Sequence, residues 1–146
     1  MNVLGAYLAC RAVIPGMLSR GAGRIVLMGS GAAYLKSPTI GSTYGASKAA
    51  VWRFGELLAG QLAGRIPVFV ISPGLVRTDL TIGLFPEEAP WSSPDLAPAL
   101  VRKLASGRYD ALAGRYIQAH LDDVDDLLAR VGEIQDHDLN TIRLRR

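Results

Sequence analysis

Two short, uninterrupted apolar runs limit what this chain can fold into. Arg24-Ile25-Val26-Leu27-Met28-Gly29 and Ile66-Pro67-Val68-Phe69-Val70-Ile71 show no alternation of polar and apolar residues. Strands covered on both faces read this way. Between the runs lies a stretch with helical periodicity, so strand, helix and strand follow in order. That order specifies a βαβ unit, a parallel pair of strands and a right-handed crossover.

The rest of the chain fits around this unit. Val3, Leu4, Tyr7, Leu8, Ala12 and Val13 recur near the helical period, predicting a helix over 1–18, weakened near its end by Pro15 and stopped by Gly21-Ala22-Gly23. A loop is expected over 31–41, with Pro38 inside it. Ser42 or Thr43 can cap a helix over 44–63, with Gly64 closing it. Pro73-Gly74 ends the second strand. Residues 80–93 read as loop or short helix, 94–106 as helix, 116–119 as a last short strand, and 122–131 as a helix with an acidic front. At 146 residues this is one domain, an α/β fold with a partial doubly wound parallel sheet.

Composition removes several function classes. Residues 1–80 hold 8 basic and 2 acidic side chains, a net of +6, whereas 81–146 hold 8 basic and 11 acidic, a net of −3. The basic half can attract phosphate, but its charges are scattered singly, so no nucleic-acid partner is expected. Cys10 is the single cysteine, so no disulfide forms within the chain. No apolar run reaches the ~18 residues of a membrane span, and the start lacks a basic, cleavable leader, so a cytoplasmic protein with no membrane partner is expected. His120 and His137 stand alone and are read as non-catalytic. Asp122-Asp123-Val124-Asp125-Asp126 lacks the glycine and closing glutamate of a calcium loop, and no metal site is expected.

The chemistry concentrates around one helix start. Tyr44 and Lys48 are four residues apart, so they project from one face. A free phenol titrates near pH 10, and an ammonium within ~4–6 Å favours its ionised form. A tyrosine with a lysine one turn later is therefore a proton donor with its tuning group attached, although taken alone the pair is common on helices. Ser30 follows the first strand at the carboxyl edge of the sheet, where open α/β sheets bind ligands. Its hydroxyl can hold a carbonyl oxygen that Tyr44 protonates. A serine hydrolase is disfavoured, because no G-x-S-x-G elbow surrounds Ser30 and no histidine lies nearby.

Four segments together resemble the short-chain dehydrogenase/reductase family: Asn2-Val3-Leu4-Gly5, Arg24 to Ser30, Tyr44-Gly45-Ala46-Ser47-Lys48-Ala49-Ala50-Val51, and Ser72-Pro73-Gly74-Leu75-Val76-Arg77-Thr78-Asp79. They cover residues 1 to about 80 in the family's order. Residues 111–117 and the closing Ile142-Arg143-Leu144-Arg145 look like some bacterial members. The resemblance implies a Rossmann-like fold, NAD or NADP as cofactor, a small carbonyl or alcohol substrate, and assembly into a homo-oligomer. It implies that Asn2, Ser30, Tyr44 and Lys48 form a catalytic tetrad. Tyr44 would give or take the proton, Lys48 would tune it and hold the nicotinamide ribose, and Asn2 would place a water next to Lys48. Pro73, Gly74, Val76 and Thr78 would lie against the nicotinamide, with Val76 and Thr78 on its carboxamide. Residues 1–80 would be the catalytic core segment and 81–146 the substrate lid and C-terminal segment, with Leu84, Phe85 and Trp91 available to line an apolar pocket.

Three departures stand out. The interval from Ser30 to Tyr44 is one residue longer than is common in the family. Gly29 stands where many members carry a second serine. The Gly-rich phosphate-binding turn has no counterpart here, since Gly21-Ala22-Gly23 precedes a strand instead of following one. The chain is thus expected to be the C-terminal part of a family member, without its first βαβ units. The competing expectation is a degenerate fragment without activity that acts as an oligomer packing partner.

Overall fold

The computed structural model describes residues 1–36 and 41–143. Pro38 of the expected loop and Leu144 and Arg145 of the closing segment lie outside the described residues. In chain order the elements are α1 (Asn2–Arg20), β1 (Ile25–Met28), a 3-10 turn (Gly31–Ala33), α2 (Ser42–Gln61), β2 (Val68–Ser72), α3 (Leu96–Ala105), a second 3-10 turn (Asp110–Leu112), β3 (Tyr116–Gln118), α4 (Val124–Ala129) and α5 (Val131–Asp136). The strands form one parallel sheet in the order β1-β2-β3. Ile25 pairs with Val68 and Met28 with Ile71, while Val70 pairs with Tyr116 and Ser72 with Gln118.

Helices cover both faces, which makes the sheet doubly wound. Ile25, Leu27, Val68, Val70 and Tyr116 pack with Val51, Trp52, Leu58 and Leu62 of the α2 side and with Cys10 of α1. Phe69, Ile71 and Ile117 pack with Leu100, Leu104, Val124, Leu127 and Ile134 on the other face. All five residues of β2 are buried, as an interior strand requires. Gly55 lets α2 approach the sheet, because a Cβ there would run into Val70. Truncating a fully buried residue such as Ile71 to alanine should cost about 2–5 kcal/mol.

The structure corrects several boundaries. Ser42 and Thr43 lie inside α2 instead of capping it. The N-cap is Gly41, with no side-chain hydrogen bond. The helix leaves at Leu62, and Gly64, at φ 73°, serves the turn that follows. The second strand begins at Val68, because Ile66 still closes the helix-end turn onto Leu62. Residues 80–93 hold no helix and are pinned by bridges of Ile82 to Phe85 and of Val76 to Ser92. The acidic helix breaks in two at Arg130. Asp123, not Asp122, caps it by accepting from Asp125 N, while Asp122 turns back to accept from Gln118 N.

Two larger expectations also change. β1 is not covered on both faces throughout: Ile25 and Leu27 are buried, but Met28 is exposed. α1 is stopped by left-handed Gly21 as expected and runs through Pro15, yet Cys10 is its one buried residue. With 19 residues and few charges, α1 is long and apolar enough to cross a membrane by length and composition, although no unbroken apolar run is.

Candidate active site

The carboxyl edge of the sheet gathers the expected residues from separate elements. β1 delivers Gly29 and Ser30, because the chain stays extended through Ser30 before the 3-10 turn begins. Ser30 Oγ caps that turn by accepting from Ala32 N at 3.2 Å. The bond uses a lone pair, so the O–H remains free to donate. The turn packs against α2, which carries Tyr44 and Lys48, both half-buried.

Lys48 Nζ lies 5.8 Å from the centre of the Tyr44 ring and donates to the Met28 carbonyl at 2.9 Å. Burial holds the Lys48 ammonium below its ordinary range. The lysine thus joins the helix to the end of β1 and keeps its charge over the phenol. Asn2 reaches the same helix by a different route. Its Nδ2 donates to Ser47 Oγ at 3.0 Å, and that hydroxyl donates to the Tyr44 carbonyl at 2.7 Å. Asn2 therefore fastens α1 to the first turn of α2, and it makes no direct bond to Lys48.

The segment after β2 leaves the same carboxyl edge, since β1 and β2 are parallel neighbours. Gly74, at φ 86°, has the left-handed conformation that glycine tolerates, and a Cβ there would strike Ser92 and His120. Internal packing therefore demands glycine at this position. The Thr81 hydroxyl donates to the Val76 carbonyl at 2.7 Å, accepts from Thr78 N at 2.8 Å, and lies 3.2 Å from the Thr78 hydroxyl. Pro73 stands half-buried beside them. Leu84 is exposed, while Phe85 and Trp91, both half-buried, pack edge to face with ring centres 6.3 Å apart.

Sequence reasoning missed an aromatic group beneath the site. Trp52, one turn beyond Lys48 on the same stripe of α2, stacks on Tyr116 of β3 with ring centres 4.1 Å apart. Tyr34 stands edge-on to both, at 5.9 and 6.0 Å, and its hydroxyl donates to Gln118 Oε1 at 2.6 Å. A Cβ on Gly29 would meet Tyr116 Cε2 at 2.9 Å, so the Tyr116 ring fills the space a serine would need there. The Tyr116 hydroxyl and Trp52 Nε1 are buried with no hydrogen-bond partner among the described residues. Burial pushes the Tyr116 phenol far up, and the Ser72 hydroxyl beside it opposes this. The i, i+4 spacing signalled Trp52, but nothing in the sequence signalled Tyr116.

A phenol, an ammonium held over it and a serine O–H free to donate can together move a proton to or from an oxygen and bind that oxygen. The sequence pattern of the short chain dehydrogenases matches residues 1–89. The chain is 34% identical over 148 aligned residues to the short chain dehydrogenase mpl6 of Monascus purpureus, covering 99% of this chain and 50% of that protein. It resembles the crystal structure of a 3-oxoacyl-[acyl-carrier protein] reductase with bound NAD from Brucella melitensis, at TM-score 0.70 and 26% identity over 80% of this chain and 47% of that one. It also resembles a gluconate 5-dehydrogenase from Burkholderia cenocepacia in complex with NADP and tartrate, at TM-score 0.70 and 26% identity over 78% and 49%. The chain spans about half the length of the curated relatives it matches.

Proposed function

Because the chain belongs to the short chain dehydrogenase family, we propose that it acts as an NAD(P)-dependent oxidoreductase on a small carbonyl or alcohol substrate. The observation that carries this reading is the Lys48 ammonium held over the Tyr44 ring and anchored on the Met28 carbonyl, next to the strand end that presents Ser30. The nicotinamide, when bound, supplies or accepts the hydride. Ser30 donates its free O–H to the substrate oxygen. Tyr44 gives that oxygen a proton in reduction and takes it in oxidation. Lys48, already partly desolvated, offers its remaining N–H groups to the ribose, and Asn2 steadies the first turn of α2 through Ser47.

The segment after β2 supports the same cofactor, with one adjustment. Pro73 and Gly74 give a flat backbone surface for the ring. The Val76 carbonyl and Thr78 hydroxyl fit a carboxamide, but both meet the Thr81 hydroxyl, which must be shared or displaced. A reducing, cytoplasmic setting belongs to this reading, consistent with a buried, unpaired Cys10.

One observation favours a second reading, a packing partner without turnover. Leu4, Tyr7, Leu8 and Val13 of α1 are exposed, a surface suited to covering by a second copy in a homo-oligomer. The test is NADH or NADPH oxidation by the purified chain against a panel of small aldehydes and ketones, with its size in solution measured alongside. Turnover supports the oxidoreductase. A stable oligomer that binds neither cofactor and turns over nothing supports the packing partner.

A further inference from the structure

Gln118, the last residue of β3, is fixed at every polar group but one. Its backbone N–H donates to Asp122 Oδ2 at 2.7 Å, and its carbonyl accepts from Leu121 N and Asp122 N. Its side-chain Oε1 accepts from the Tyr34 hydroxyl at 2.6 Å, in a pair that lies at the surface. The side-chain NH2 makes no bond among the described residues. With Oε1 taken, the amide presents two N–H donors in a set orientation.

Register relates this amide to the site. Side chains alternate along a strand, so Gln118 shares with Tyr116 the face packed by α2, the helix of Tyr44 and Lys48. It also shares the edge. Gln118 is level with Ser72 of β2, and Gly29 N donates to Ile71 O from the other side of β2. Two strand spacings, about 10 Å, therefore separate Gln118 from the end of β1 that carries Ser30. Tyr34, on the turn after Ser30, spans part of that gap. The Tyr116 phenol, raised first by burial, is raised further by Tyr34, Asp122 and Tyr44, so all three stand near one ring.

Resting on the oxidoreductase reading, we propose that the Gln118 side-chain amide, oriented by the Tyr34 hydroxyl, is a specificity residue that binds a second, uncharged acceptor on the substrate, such as an ester or amide carbonyl several bonds from the reacting one. The reacting oxygen stays with Ser30 and Tyr44, and the second oxygen goes to Gln118, so each oxygen has its own donors. A hydrogen bond of about 3 Å at each end and the reach of the glutamine leave room for a short chain between the two oxygens. The Asp122 carboxylate beside the amide repels an anionic group there.

The test uses the full chain with ethyl levulinate, levulinate and 2-octanone. The first carries an ester beyond its ketone, the second a carboxylate, and the third is a plain ketone of similar length. The Gln118 side-chain NH2 resonances are identified among the three glutamines of the sequence by their loss in Gln118→Met. They are followed by NMR in the presence of NADP+, which cannot reduce the ketone. Ethyl levulinate should shift them saturably, 2-octanone should not, and levulinate should bind more weakly than its ester. With NADPH, kcat/KM should favour ethyl levulinate over 2-octanone about 2–10-fold, the worth of one hydrogen bond. Gln118→Met should abolish that preference. Tyr34→Phe, which keeps the ring and frees Oε1, should reduce it, and it covers the case in which the methionine variant fails to fold. Equal shifts with the two ketones, levulinate bound as tightly as its ester, or a preference unchanged by Gln118→Met and Tyr34→Phe overturns the role of Gln118. Shifts specific to ethyl levulinate in a chain that reduces neither ketone keep the subsite and reject the oxidoreductase. Reduction of both ketones without preference, with the amide unmoved, does the reverse.

Discussion

The two edges of the sheet use their polar groups in opposite ways. At the amino edge the charges satisfy one another. Arg24 makes two bonds to Asp110 at 2.8 and 2.7 Å, Arg115 meets Asp138 at 2.8 Å, and the buried Glu56 carboxylate accepts from Arg53, Arg143 and the Ile142 N–H. α1 and α2 also end there, where cations suit the helix dipoles. At the carboxyl edge the Ser30 O–H, the Tyr116 hydroxyl and Trp52 Nε1 have no acceptor among the described residues. A cavity of about 640 Å3 nevertheless lies at the amino edge, among Gly21, Arg24, Glu56, Gly64 and Arg143. Size alone does not mark the site. Uncommitted polar groups at the strand ends mark it better, because structure has not consumed them.

The largest expected effect breaks the carboxyl edge alone. Tyr44→Phe should lower turnover by more than ~10²-fold while leaving cofactor affinity nearly unchanged, since only the phenol oxygen is lost. Turnover kept within about twofold would remove Tyr44 from the chemistry. Lys48→Ala should lower both turnover and cofactor affinity. Equal NADPH affinity by calorimetry in variant and parent would argue against the ribose contact.

The amino edge should respond in stability instead. Glu56→Ala strips the Ile142 N–H and Arg143 of their acceptor, and it should destabilise the fold by about 1–3 kcal/mol in urea melts. It should leave Lys48 and Tyr44 in place. A variant as stable as the parent would mean that the tail's contacts to α2 contribute nothing.

Alkali sharpens the contrast further. Tyr116 ionises well above its ordinary value of 10.0 in the fold, because burial opposes the phenolate. Above about pH 10 the unfolded chain therefore binds fewer protons at this site than the folded one, and stability falls as pH rises. Tyr34 adds to the fall, while Lys48, held low, opposes it up to its ordinary 10.5. Tyr116→Phe should make the alkaline decline shallower in melts across that range. An unchanged slope would mean the phenol is not buried as described.

The smallest effect concerns Thr81. Thr81→Val removes the hydroxyl that engages the Val76 carbonyl and the Thr78 hydroxyl, and it should tighten NADPH binding about 2–10-fold, the worth of one freed hydrogen bond. Weaker binding would show that Thr81 organises this loop for the cofactor.

What could be read from the sequence followed from local periodicity. The two strands, the long helix and the stacked Tyr44 and Lys48 all depend on spacing within one element, and they stand where that spacing puts them. What could not be read depends on register between elements. Tyr116 lies under Gly29 only because β3 pairs with β2 so that Tyr116 is level with Val70. The exposure of α1 was equally hidden, since helical periodicity shows a face but not whether anything covers it. The helix end at Leu62, in place of Ala63, and the break at Arg130 are not legible in the sequence, because caps are decided by single backbone bonds, not by composition.

The central claim is that the carboxyl edge, not the charged amino edge, holds the nicotinamide cofactor. An amide NMR titration of the chain with NADPH and with NADH tests it directly. The account predicts saturable shifts centred on Ser30, Tyr44, Lys48 and Gly74 to Thr78, with Arg24, Asp110 and Arg143 unmoved. Shifts centred on the amino edge, or no saturable shift with either cofactor, would contradict it.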